Sequence, residues 1–402
     1  MLAVVFRVGS AFVSLLTGIV IARTLGAEGK GALAYLTTAV NFVARLASFG
    51  LEASFTRLHR VKGISAGISA GSVLLAAVAF GVLSGVAVNA ALSLSPGLSA
   101  AVPPMLTRVT FWLMPAAMIL FVLGPIMYGM RAEVAFGGLD LGMRTGMLAV
   151  TVAVAGTTFN DLVTVGVLQQ VVLVAAAIAG CWWVRRLISE RLGWSREALL
   201  AILTDAPAIY GYNTLRYALG YGSTLLAAQW LGVADAGVFS VALMLGESVT
   251  LLASSINLAF YPAVSTVDRP ATYARRVAGL VMVLCLAAGT VLVAISDWLL
   301  PSVYGPAFSA VTPVFLAMLP GVVLLGGEQV VSSLFIAGGH ARAALAAAAV
   351  GLVFLPLAAW PMVARAGIEG LAAATSLAQG LAAVVCFVLF RRYARQFATR
   401  LS

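Results

Sequence analysis

Charge is what this chain has least of. Of its 402 residues only 9% are Asp, Glu, Lys or Arg, against 62% hydrophobic residues and a mean hydropathy of +1.06. A water-soluble globule of this length needs far more ionic surface, so the composition excludes one and points to a bilayer. Histidine is nearly absent: His59 and His340 stand alone, and neither sits in a metal spacing such as H-E-x-x-H. Three cysteines, Cys181, Cys285 and Cys386, are isolated in apolar runs and read as packing residues, without disulfide or metal spacing. No phosphate-binding loop appears, which excludes ATP hydrolysis by that device within this chain. The connections between apolar runs are short and carry no grouped catalytic residues. No catalytic role, metal or bound cofactor is therefore expected, and the chain is read as not an enzyme.

What is present is long apolar sequence. Charge-free stretches cover 63–107, 145–160, 162–184, 217–234, 248–267, 277–296, 298–327, 343–364 and 370–390. About 20 residues of helix cross the hydrocarbon, and a helix satisfies its own backbone there. The alternation of a transmembrane barrel is absent. Twelve spans are predicted: 2–22, 32–53, 66–92, 106–129, 141–157, 162–184, 204–230, 236–262, 275–297, 309–337, 341–363 and 367–391. The breakers between them include Ser95-Pro96-Gly97, Asp268-Arg269-Pro270, Pro301 to Pro306 and Gly338-Gly339-His340. Residues 1–22 lack a basic segment ahead of the apolar stretch and hold Arg7 inside it, so they read as a retained first span, not a secretory signal.

The net charge of +10 lies between the apolar runs and not along one solvated face, which argues for membrane topology and against nucleic acid. Connections after even-numbered spans carry seventeen Lys and Arg, Arg144 among them, against four on the other side. Both termini and the Arg185–Arg196 connection are accordingly predicted to be cytoplasmic. Trp182 and Trp183 mark that interface, and Trp230 and Trp298 the opposite one.

One phrase occurs twice. Leu25-Gly26-Ala27-Glu28-Gly29-Lys30-Gly31 returns 206 positions on as Leu231-Gly232-Val233-Ala234-Asp235-Ala236-Gly237. Two related halves follow: an N-lobe of six spans over 1–190, a cytoplasmic linker over 191–203 and a C-lobe of six spans over 204–402. Because each half has an even number of spans, the expected relation is a pseudo-twofold axis along the membrane normal.

Ionisable groups at membrane depth cost about 2.5–3.5 kcal/mol each on insertion scales and mark pathways or partners. Arg7, Ser10, Ser14 and Thr17 form one stripe on span 1, and the same offset lays it over Asn213, Arg216, Gly220 and Ser223 of span 7. Span 2 shows Asn41, Arg45, Ser48 and Glu52 on one face. Glu247 in span 8 aligns with Asn41, followed by Thr250 and Ser254. Two readings stand: Arg45 and Glu247 face a shared cavity, or they form a structural charge pair. The small residues could equally be helix contacts. Glu328, Gln329, Ser332 and Ser333 make a further cluster in span 10. Pro115 and Pro320, 205 apart, place a helix breaker at matching depth in each half, and Pro125, Pro207, Pro356 and Pro361 are further kink positions.

The motifs carry a resemblance. Ile21-Ala22-Arg23-Thr24-Leu25-Gly26-Ala27-Glu28-Gly29-Lys30-Gly31 resembles the A-R-x-L-G-x-E-G-x-G signature of polysaccharide biosynthesis flippases. These belong to the multidrug, oligosaccharidyl-lipid and polysaccharide (MOP) exporter superfamily. Ser48-Phe49-Gly50-Leu51 is similar to the family's Asp-Leu-Gly-Leu, with Phe49 and Ser48 departing from it. Tyr304-Gly305-Pro306-Ala307-Phe308 and Ala366-Gly367-Ile368-Glu369-Gly370-Leu371-Ala372 resemble its motifs before spans 10 and 12. The resemblance implies an all-α membrane fold of two six-helix lobes around a central cavity. It further implies an alternating-access flippase that moves a polyprenyl-diphosphate-linked oligosaccharide to the periplasmic leaflet of a bacterial inner membrane, with Na⁺ or H⁺ coupling. Arg7, Arg45 and Arg216 would hold the diphosphate, while Ser10, Ser14, Asn41, Asn213, Tyr210, Tyr217, Tyr221 and Ser223 take sugar hydroxyls. Glu247 or Glu328 would carry the coupling ion. The family's frequent Asp in span 7 has no counterpart between Arg216 and Asp235. Expected partners are the lipid-linked substrate, membrane lipid and polysaccharide polymerase or assembly proteins, with the chain itself a monomer. Two alternatives remain: a multidrug antiporter for organic cations in the same superfamily, and a non-transporting scaffold for polysaccharide assembly.

Overall fold

The structure is a computed structural model that describes residues 2–94, 102–157, 161–204, 207–263 and 270–400. The breakers Ser95-Pro96-Gly97 and Asp268-Arg269 lie outside the described residues. Within them the regular elements are all helical, in two compact units, Met1–Pro207 and Ala208–Ser402.

The first unit opens with α1 (Leu2–Ser48), 47 residues long. At 1.5 Å per residue that is about 70 Å, twice the thickness of a hydrocarbon core, so α1 is two spans. Their corner is Gly26, with φ 69° and ψ −170°, a conformation open to glycine. A tight turn through Phe49 (φ 44°) and Gly50 (φ 81°) leads into α2 (Leu51–Thr56), which drives Leu51 and Phe55 fully into the core. α3 (Ala66–Leu94) follows, then α4 (Pro104–Trp112) and α5 (Met114–Gly129), bent by 50° across Leu113 with Pro115 at the first turn of α5. α6 (Glu133–Ala155) and α7 (Leu162–Leu187) complete the spans. Asp161 caps α7, accepting from the Thr164 N–H at 2.8 Å.

Span 5 is corrected by α6. It begins at Glu133 and not at 141, so Asp140 and Arg144 lie inside an apolar helix and Arg144 leaves the cytoplasmic connections. The physical reason is the i,i+4 ion pair between them, at 3.1 Å, which lets the helix run on through both charges.

Residues 191–203, expected to be a linker, are packed on the first unit. The Gly193 N–H donates to Gly67 O at 3.4 Å, the Ser195 N–H to Ser72 Oγ at 3.3 Å, and α8 (Arg196–Thr204) buries Ala198, Ala201 and Ile202. Glu190 accepts from the Gly67 N–H at 3.0 Å, and this bond, with Ser65, holds its carboxyl below the ordinary carboxylate range.

The second unit runs α9 (Pro207–Trp230), α10 (Val233–Ala263), α11 (Pro270–Tyr304), α12 (Val311–Ala337) and α13 (Ala341–Arg400). Gly232, the counterpart of Gly26, takes φ 104° between α9 and α10, so the repeated phrase forms a corner of the same kind in each unit. Tyr304 and Phe308 bury their rings at another corner, 5.5 Å between centroids, ahead of α12. Pro320 lies within the continuous α12. α13, 60 residues long, breaks at Ala366 and Gly367 and again has the length of two spans. Among the described residues eight helices are long and apolar enough to cross a membrane, or nine with the bent α4–α5 pair. α9 has the length but carries a polar face.

The strap over α3 gives a stability test. A Cβ on Gly71 would stand 2.0 Å from Gly193 O, whereas one on Gly142 meets nothing within 4 Å. Gly71→Ala should therefore lower the thermal midpoint of the detergent-solubilised chain, by roughly the 1–3 kcal/mol that overpacking costs. Gly142→Ala should hold or raise the midpoint, since alanine outranks glycine in a helix. Equal midpoints would refute the docked strap.

Candidate functional site

In the second unit the polar groups of α9, α12 and α13 converge. Tyr212 and Arg216 are one turn apart on α9, Glu328 and Ser332 one turn apart on α12, so each pair shares a face. Arg216 Nη1 donates to Glu328 Oε2 at 2.5 Å and to the Tyr212 hydroxyl at 3.0 Å. Tyr212 donates in turn to Glu328 Oε1 at 3.3 Å. Ser332 Oγ also donates to that oxygen, and the Cys386 thiol of α13 stands 3.6 Å from Ser332 Oγ. Glu328 is 4% exposed. A carboxylate this deep persists only with a partner, because an unpaired charge in low dielectric costs several kcal/mol.

A second group lies on α9 and α10. The rings of Tyr217 and Tyr221 stack at 4.4 Å and 19°, and the Tyr221 hydroxyl donates to the exposed carboxylate of Glu247. Asn213 is half-buried. Ser223 differs from its expected role: it is fully buried and hydrogen-bonded to Thr375 Oγ1 at 2.6 Å, a contact between α9 and α13 and not an open face.

In the first unit the α1 stripe meets α6. Arg144, held at 3.1 Å by Asp140, donates through Nη1 to Ser14 Oγ, so Ser14 is a receptor for a cation that the sequence reading had placed in a loop. Ser10 is buried with no partner for its hydroxyl among the described residues, and Thr17 donates to its own helix at Val13 O, 2.8 Å. Arg7 is exposed. Tyr128 of α5 lies in the field of Arg7, Asp140 and Glu133 together. Asn41 is exposed, while Arg45 is half-buried, 3.8 Å from Glu52 with its guanidinium 5.3 Å from the centroid of the Phe121 ring.

The structure thus joins Arg216 to Glu328, which the sequence listed apart, and adds Asp140, Arg144 and Tyr212. An Asp-x-x-x-Arg spacing inside an apolar stretch is the signal that could have found the first two. Among the described residues no group of His, Cys, Asp and Glu could hold a metal. Breaking the buried pair has a measurable cost. Arg216→Met should destabilise the chain by about 3 kcal/mol, and adding Glu328→Met should recover a good part of it. Additive losses in thermal unfolding of the single and double variants would refute a coupled pair.

Residues 141–313 match the family described as polysaccharide biosynthesis protein. Among curated proteins none matches the chain by sequence. Solved structures are similar over nearly the whole length. An inward-facing multidrug resistance MATE family transporter of the MOP superfamily superposes with a TM-score of 0.71 at 16% identity, covering 99% of each chain. The lipid II flippase MurJ, inward closed, gives 0.74 at 12% identity over 98% of this chain and 90% of that one. A Vibrio cholerae MATE transporter gives 0.67 at 15% identity over 98% and 97%. The matched segment covers 173 of the 402 residues, and the likeness to these structures, at 16% identity or less, shows the fold that they share.

Proposed function

We propose that this multi-pass membrane protein is a MOP-superfamily transporter, an alternating-access flippase for a polyprenyl-diphosphate-linked oligosaccharide that moves it from the cytoplasmic to the periplasmic leaflet of a bacterial inner membrane. The observation that carries the reading is arginine with unspent donors. Arg216 uses Nη1 alone, and Arg7 is exposed with no hydrogen-bond or ion-pair partner among the described residues. A guanidinium is the group that matches phosphate oxygens in pairs. Asn213, Tyr217 and Asn41 would take sugar hydroxyls.

Counting α1 and α13 as two spans each, and α4–α5 as one, with α9 included, gives six spans per unit and twelve in all. An even count keeps both termini on one side, which the Lys and Arg bias makes the cytoplasm. Exposed Glu247, which accepts from Tyr221 in the stacked Tyr217–Tyr221 pair, suits a Na⁺ or H⁺ coupling site. The same group is the one feature that favours the second reading, an organic-cation antiporter, since aromatic faces and a carboxylate both attract cations. Polysaccharide polymerase or assembly proteins would be the partners of a monomeric chain.

Loss of the gene should build up a cytoplasm-facing polyprenyl-linked saccharide. Wild type should clear it, and Arg216→Ala or Arg45→Ala, at equal expression, should leave at least most of it in place. Unchanged lipid-linked intermediates together with new sensitivity to organic cations would replace the flippase by the antiporter.

A further inference from the structure

The Arg216–Glu328 pair is open on one side only. The Arg216 side chain keeps 24% of its surface exposed, against 6% for Glu328. Nη1 serves both Glu328 and Tyr212, and among the described residues Nη2 and Nε make no hydrogen bond. The carboxylate is closed in by Tyr212 from α9 and Ser332 from α12, with the Cys386 thiol of α13 behind Ser332. From α11, Met282 and Cys285 face the preceding residues, Gly327 and Gly326, and α10 contributes Asn257, which donates to Ser333 at 2.7 Å. Arg216 is the one cation seen in contact with Glu328 among the described residues.

We propose that an ionised diphosphate diester binds the free edge of Arg216 and that Glu328 takes up one proton as it does so. The inference rests on the flippase reading above. A diphosphate arriving at Nη2 and Nε puts a second anion on a single cation, in surroundings where like charges repel far more strongly than in water. The repulsion is relieved when a proton from water joins a Glu328 oxygen. Arg216 stays protonated throughout, and the new acid O–H donates to the Ser332 or Tyr212 oxygen. The partner of Arg216 changes from carboxylate to phosphate, and the uptake of the proton leaves the site with one negative charge fewer than an ionised Glu328 beside the diphosphate would give it. Glu328 is then a positioning and charge-balancing residue. A proton that binds together with the exported anion cannot draw work from an inward proton gradient, so the gradient-coupled role is left to Glu247.

The test uses the full chain in nanodiscs and farnesyl-diphospho-glucose, whose diphosphate diester has no proton to gain between pH 5 and 9. In weakly buffered solution at pH 8, wild type should take up about one proton per ligand bound, and its affinity should rise as pH falls. Glu328→Gln should bind at least about tenfold more tightly than wild type at pH 8, with no proton uptake and a flat pH profile. Arg216→Gln should lose most of the binding at every pH. Proton uptake by wild type is decisive even if Glu328→Gln fails to fold. Intact binding without proton uptake would overturn this inference and leave the flippase reading standing. Weaker binding by a folded Glu328→Gln would also overturn it, assigning Glu328 to structure alone. No binding by wild type at any pH would overturn both.

Discussion

Hydrocarbon offers no partner to a backbone N–H or C=O, and that constraint arranges the rest of the molecule. A chain with 9% charged residues and 40 glycines can cross a bilayer only as helices whose hydrogen bonds are internal. The places where helices end then become the scarce positions, because each leaves unpaired groups. Gly26 and Gly232 turn such corners with positive φ, and Phe49–Gly50 and Gly305 do the same elsewhere. These are the residues of the family-like phrases, so the motifs are chiefly corners of the fold. The side chains able to meet a ligand lie elsewhere, along the helices that the corners position.

Most of the fold was legible because hydropathy and glycine are local signals. The apolar stretches became helices, and the phrases at Gly26, Gly232, Tyr304 and Gly367 became breaks or corners. Span 5 reads short because only 145–160 is free of charge, whereas Asp140 and Arg144 neutralise one another one helical turn apart. Residues 191–203 read as a linker because Arg191, Arg196 and Glu197 interrupt the apolar runs, and that local signal cannot report that Gly67 and Ser72 wait on α3 to receive the segment.

The site was legible in its members and illegible in its pairing. Arg7, Ser10, Ser14 and Thr17 were placed on one stripe, but what faces that stripe is Arg144, 130 positions from Ser14. Glu328 reads from the sequence as a member of a cluster within span 10, yet it closes on Arg216 across 112 positions of sequence. Partner choice over such separations follows from how helices pack, which no spacing within one helix encodes. Ser223 shows the converse: a residue on the predicted stripe spent on a contact with Thr375.

The duplication also separates what the fold requires from what it carries. Under the 206 offset Arg216 corresponds to Ser10, and Asp140 and Arg144 to Ala346 and Val350; under the offset of 205 that lays Pro320 over Pro115, Glu328 corresponds to Leu123. Each ion pair therefore occurs in one unit only. Leu123 is fully buried, so the backbone accepts an apolar residue where the second unit carries Glu328. Replacing a buried ion pair by apolar residues is commonly neutral or stabilising, because desolvation of the two charges offsets their attraction. Stability of the helix bundle thus supplies no reason for Glu328 and Arg216 to be there. What the pair does supply is a cation with one edge closed by a carboxylate and the other left open, a disposition of use to an anionic ligand and of none to packing.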